Sequence, residues 1–157
     1  MGTGTGKAWK TSRVAGLALV MLAAAGGCAT TEDSTMAITS PAQLIGTEWW
    51  VEDIAGGGVI DNSRTTIGFP EDQRVAGSTG CNNYTGDIAI YADRMTFGVL
   101  AGTRRACVPA LGNQEVKFYS TVDKVKSWMV TNGGQTLVLK DEAGDAVIRA
   151  SRVKGSE

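Results

Sequence analysis

From Leu44 onward, apolar residues recur at every second position in short runs, and glycine, proline or asparagine punctuates nearly every run. A strand with one buried face requires this period, because successive side chains point to opposite sides of a sheet. Short runs of this kind spread over about 110 residues, enough for one core, predict a mainly β (α+β) domain. The expected architecture is a small antiparallel sheet or a partly open barrel. The expected strands are Trp49–Ile54, Thr65–Phe69 stopped by Pro70, and Arg74–Ser78. A hairpin of Tyr84–Tyr91 and Met95–Phe97 turns at Ala92-Asp93, and Val99–Cys107 is extended at least in part. Two final turns, at Asn132-Gly133-Gly134 and Glu142-Ala143-Gly144, separate Trp128–Thr131, Thr136–Lys140 and Ala146–Ala150.

One segment breaks the period. Leu111, Glu115, Phe118, Val122, Val125 and Met129 follow one another at steps of three and four, which is one face of a helix. Pro109 suits the first turn, where a missing N–H costs nothing. One long helix is therefore expected near residues 109–128, with Trp128 just off its stripe and starting the next strand.

The beginning of the chain has another character. Lys7, Lys10 and Arg13 precede an apolar run, Val14–Ala25, that is too short to span a bilayer as a helix. Residues 1–27 read as an export signal ending in Ala25-Gly26-Gly27-Cys28. Small residues directly before a cysteine resemble the bacterial lipobox, in which cleavage between Gly27 and Cys28 leaves a diacylglyceryl cysteine as the new N-terminus. Ala25 departs from the usual leucine of that box, and an ordinary cleavable signal with Cys28 as a bystander is the other reading. Residues 28–43, rich in Thr, Ser and acidic side chains, read as a flexible tether. By resemblance to enterobacterial lipoproteins, Ala29 after the cysteine implies the outer membrane, facing the periplasm. Gly2-Thr-Gly-Thr-Gly-Lys7 fails as a phosphate loop on spacing and as a myristoylation signal because Gly6 occupies the hydroxyl position.

Loss of the signal removes three basic residues and leaves an excess of roughly four acidic charges, so nucleic acid is not an expected partner. The chain has no histidine. Of three cysteines, lipidation would account for Cys28 and leave Cys81 and Cys107. In an oxidising compartment such a pair is expected to form a disulfide, with free structural thiols or a reactive thiol as the alternatives. Two cysteines without histidine fall short of a usual zinc set, and the base of a Cys-His enzyme is missing, so neither a metal nor a catalytic residue is expected.

Three motifs in order carry a family resemblance: Gly46-Thr47-Glu48-Trp49, then Gly80-Cys81-Asn82-Asn83-Tyr84-Thr85-Gly86, then Thr103-Arg104-Arg105-Ala106-Cys107. In these the chain resembles the META domain family of HslJ-like heat-inducible envelope proteins, over roughly residues 44–153, with 154–157 as a disordered tail. The resemblance implies a small antiparallel β-structure with one long helix, no cofactor, and a place in the cell envelope, many members being lipoproteins. One heat-inducible member is associated with heat response and novobiocin tolerance, and the resemblance supplies no enzymatic activity. The motif residues Gly46, Thr47, Trp49, Gly80, Cys81, Asn82, Asn83, Gly86, Thr103 and Cys107 are structural in this reading. Gly80 and Gly86 are expected to take backbone angles closed to other residues. Asn82 and Asn83 are expected to take the left-handed region or to bond nearby backbone. The glycosylation pattern at Asn83-Tyr84-Thr85 is discounted in a bacterial lipoprotein.

Other candidates have plainer explanations. Trp49 and Trp50 should face opposite ways, one into the core and one on a rim where a ring could stack on sugar or peptide. Arg104 and Arg105 could hold an anion, although a solvated surface with a local ion pair explains them as well. Glu52-Asp53, Glu71-Asp72 and Asp141-Glu142 read as solvent-facing charge. The sequence thus predicts a non-enzymatic envelope lipoprotein, partnered with the membrane through Cys28 and acting in stress protection or binding. The alternative is a pilotin-like or inhibitor-like module that grips an extended peptide or a partner protein.

Overall fold

Eight strands follow one another around a ring in a computed structural model that describes residues 40–155. The export signal, Cys28, most of the tether and the last two residues of the tail lie outside the described residues. The strands are β1 (Thr47–Ile54), β2 (Thr65–Phe69), β3 (Arg74–Thr79), β4 (Asn83–Tyr91), β5 (Arg94–Gly102), β6 (Ser127–Thr131), β7 (Thr136–Lys140) and β8 (Ala146–Arg152). Each pairs antiparallel with its sequence neighbour, and β1 also pairs with β8. Closing the ring removes much of the unpaired edge that an open sheet would carry.

In β1 the alternation seen in the sequence is the alternation of burial, whereas β2 and β7 are buried at three consecutive residues. In β1, Thr47, Trp49 and Val51 point inward while Glu48, Trp50 and Glu52 are exposed. The interior holds Trp49, Ile67, Phe69, Met95, Trp128 and Leu137, all essentially without solvent contact. Each large apolar side chain moved out of water contributes about 1.5–3 kcal/mol. Leu44, fully buried just before β1, sits at the end where Gly46 N–H donates to Phe69 O at 2.7 Å. At the opposite end α1 (Pro109–Val122) lies across the end of β3 and the start of β2, driving Phe118 and Val122 into the same core.

The helix is shorter than its apolar stripe suggests. It ends at Val122, and two tight turns follow, closed by Lys124 N–H to Thr121 O and Val125 N–H to Val122 O, each 3.1 Å. Val125 still points into the core, so the spacing of three and four persists through a turn that is not helical. Met129 belongs to the outward face of β6, whose inward residues are Trp128 and Val130. The expected extended stretch after Val99 also divides. Its first part completes β5 to Gly102, and residues 103–108 are irregular.

The ring is unevenly closed. Every other junction has at least four register pairs, whereas β5 and β6 share only Arg94↔Ser127. Two flanking bonds help, Met95 N–H to Lys126 O at 3.0 Å and Trp128 N–H to Asp93 O at 2.9 Å.

Candidate functional site

The three sequence motifs occupy two places. Gly46, Thr47 and Trp49 form a local device at the start of β1. The Thr47 hydroxyl donates to Leu44 O at 2.6 Å and accepts the Trp49 indole N–H at 2.7 Å, both within the buried interior. A buried indole needs such a partner for its N–H. Trp50, by contrast, is 39 % exposed, so the adjacent tryptophans do face opposite ways. Trp50 lines a shallow hollow with Ile60, Asp61, Asn62 and Arg64.

The second and third motifs meet at the helix end of the ring. Cys81 and Cys107 stand at disulfide distance, their Cα atoms 6.0 Å apart. The bridge ties the corner between β3 and β4 to the segment that enters α1. Gly80 has φ +88°, the left-handed region expected of it, and a Cβ there would also lie 2.7 Å from Ser63 O. Gly86 differs from expectation. It is not among the positive-φ residues, and its need for glycine is steric, since a Cβ would sit 2.7 Å from both Leu100 Cδ2 and Val99 O. The register shifts there, between Gly86 and Ile88, because β5 takes an extra residue.

Asn82 is the centre of this corner. It is buried and does not take the left-handed backbone region. Its Oδ1 accepts the Thr103 hydroxyl and Arg105 N–H, each at 2.8 Å. Its Nδ2 donates to the Glu115 carboxylate at 2.9 Å and lies 3.2 Å from Cys81 Sγ. Two donors on one side and a carboxylate on the other fix the orientation of the amide. The Thr79 hydroxyl, its single proton directed to Glu115 at 2.9 Å, accepts Asn82 N–H at 3.0 Å. Asn83 contributes its backbone, with N–H to Thr103 Oγ1 at 3.2 Å and Thr103 N–H to Asn83 O at 2.9 Å. The Arg105 guanidinium donates to Cys81 O at 2.6 Å, where the sequence suggested a local ion pair. Arg104 is exposed.

Gln114 extends the network and had no signal of its own in the sequence. Buried beside Glu115, it donates to Thr65 Oγ1 at 2.8 Å and Thr79 O at 3.1 Å while accepting Ile60 N–H at 2.6 Å. Glu115 did have a signal. A carboxylate inside an apolar helical stripe must find donors or stay out of the protein.

Two tyrosines pack beside the helix. Tyr84 is buried against Phe118, ring centroids 5.2 Å apart, and its hydroxyl donates to Thr66 O at 2.9 Å. Burial raises its pKa well above the ordinary tyrosine value, with Tyr119 and Glu48 adding to the effect. Burial also raises Tyr119, helped by Glu115. The acidic pairs serve turns or lie at them. Asp53 accepts Gly56 N–H at 2.8 Å and Gly58 N–H at 2.7 Å, Asp141 accepts from Ala143 and Asp145, and Glu71 stands 4.0 Å from Arg74. Among the described residues no group of three or more His, Cys, Asp or Glu side chains is placed to hold a metal.

The sequence model of the META domain matches residues 42–154. The chain belongs to the META domain family. No curated protein matches it. An NMR structure of a protein from Burkholderia xenovorans is similar in fold at TM-score 0.60 and 24 % identity, over 72 % of this chain and 86 % of that one. A second NMR structure shares 23 % identity at TM-score 0.55, over 73 % of this chain and 96 % of the other. At these identities the likeness concerns the fold.

Proposed function

We propose that this META domain works without enzymatic chemistry, as a binding or protective module held at the bacterial envelope by a lipid on Cys28. The observation that supports this is how the side chains of the bridged corner are used. Asn82, Thr79, Glu115, Gln114 and the Arg105 guanidinium spend their hydrogen bonds on one another and on neighbouring backbone. Groups committed in this way stiffen a corner and are poorly placed to act on a substrate. A role in envelope stress or antibiotic tolerance fits a domain with a bridged, fully bonded corner in an oxidising compartment.

The anchor is tested by replacing Cys28 with alanine in the full chain. The variant should move from the detergent phase to the aqueous phase on partition, and unchanged membrane association would reject the lipid anchor.

A second reading is that the domain grips an extended segment of a partner protein. It is favoured by the thin junction between β5 and β6, which leaves most of β5 without a neighbour on one side. A pull-down from envelope extracts that returned one stoichiometric partner would support it over a general protective role.

A further inference from the structure

We propose that the open edge of β5 is a docking strand for an acidic, extended segment of a partner protein, an inference that rests on the second reading above. Backbone groups along β5 point alternately toward β4 and away from it. Thr103 N–H bonds Asn83 O, so Thr103 and, two residues back, Ala101 face β4. Met95 N–H bonds Lys126 O, so Met95 and, two residues on, Phe97 face the other way. Across the extra residue at Gly98–Val99, Leu100 and Gly102 resume that outward direction. Beyond the single pair Arg94↔Ser127, no strand among the described residues meets these groups. The N–H and C=O of Phe97, Leu100 and Gly102 therefore form a ladder with one side open.

Exposure agrees with the pairing. Gly98, Val99, Ala101 and Gly102 are exposed, Val99 to 93 %, while Phe97 turns its side chain into the core and Leu100 is half-buried against it. Natural sheets blunt such edges with lysine, proline, a bulge or cover by another element. Of these the stretch Thr96–Thr103 has the bulge at Gly98–Val99 but neither lysine nor proline, and it presents an exposed valine. Main-chain pairing along an edge, with a pocket or apolar contact for alternate side chains, is an established mode of peptide recognition.

Charge selects the occupant. Residues 94–108 carry no carboxylate, and Arg94 and Arg104 stand exposed at the two ends of the stretch, while the Arg105 guanidinium is held by Cys81 O at 2.6 Å. The acid across β4 from the bulge, Asp87, is taken by Arg74 at 2.8 Å. A second copy of this chain would bring the same arginines to the same edge, so an acidic segment is the better match.

The test uses the full chain in detergent micelles and three fluorescent seven-residue peptides. The first alternates glutamate and valine, the second replaces glutamate with lysine, and the third is the first with alternate amides N-methylated. Saturable binding of the first alone is expected, with the Phe97, Leu100 and Gly102 amides becoming protected from hydrogen exchange. Val99→Glu and Arg104→Glu should each weaken that binding at least tenfold. Binding with protection elsewhere would overturn the β5 site while leaving peptide recognition standing. No saturable binding would overturn both. Equal binding of the N-methylated peptide would overturn strand pairing. Protection of the three amides in the free protein would also overturn the proposal. Its loss on dilution would then show a second copy in the place, and its loss on deleting residues 30–39 would show the chain's own acidic segment there.

Discussion

The corner at Gly80–Asn83 and the seam between β5 and β6 lie on the same β-structure and are built by opposite rules. At the corner, Asn82 joins β4, α1 and the segment from Thr103 to Arg105, and a disulfide repeats the connection covalently. At the seam, one register pair and two flanking bonds close the ring, and half of β5 faces solvent. The difference shows where this fold concentrates its specificity. The helix is fastened to β2, β3 and the β3–β4 corner by Gln114 and Glu115, and the chain runs through it between β5 and β6.

Breaking the corner should produce the largest effects. Asn82→Ala leaves the Glu115 carboxylate, the Thr103 hydroxyl and Arg105 N–H short of partners in a largely buried place. Urea unfolding should show a loss of about 3–4 kcal/mol, the range of broken buried polar networks. Opening the bridge is next. Cys81→Ser with Cys107→Ser should cost about 3 kcal/mol for a sequence separation of 26. Because Asn82 and Cys81 are adjacent and share contacts, the combined variant should lose less than the sum.

Tyr84 sharpens the comparison through pH. Its folded pKa is raised well above the ordinary 10.0, so between those values the native state keeps a proton that the unfolded chain has lost. The stabilisation is complete below pH 10.0 and is lost as pH rises toward the folded pKa. Tyr84→Phe should therefore flatten the alkaline limb by up to about 1.4 kcal/mol per pH unit. At neutral pH it should cost about 1 kcal/mol for the lost hydrogen bond to Thr66 O. An alkaline limb as steep as that of the parent would contradict the assignment.

The smallest effect belongs to the seam. Val99→Glu, on a side chain already 93 % exposed, should change unfolding free energy by less than about 0.5 kcal/mol. A loss comparable to that of Asn82→Ala would mean that β5 is covered after all.

Much of this was legible in the residues. Burial alternates with the sequence period in β1, and β2 and β7 have the expected bounds. The opposed tryptophans, the cysteine pair and the helix start at Pro109 are likewise local consequences of spacing and turn chemistry. Glu115 announced itself as a charge on an apolar face. Its donors did not, because Asn82 and Thr79 are more than thirty residues away in the chain.

Local pattern therefore accounts for period-two strands, one helix, turns at glycine and asparagine, and two cysteines able to pair. The tertiary structure decided the rest. Val125 reaches the core from a turn, so the helix ends earlier than its stripe. Gly86 is glycine because a neighbouring strand bulges against it, and not because of its own backbone angle. Gln114 is buried only because Thr65, Thr79 and Ile60 converge on it. The ring closes through one pair at Arg94 and leaves β5 open beyond it. Each of these depends on partners remote in sequence, whose arrival no local pattern encodes.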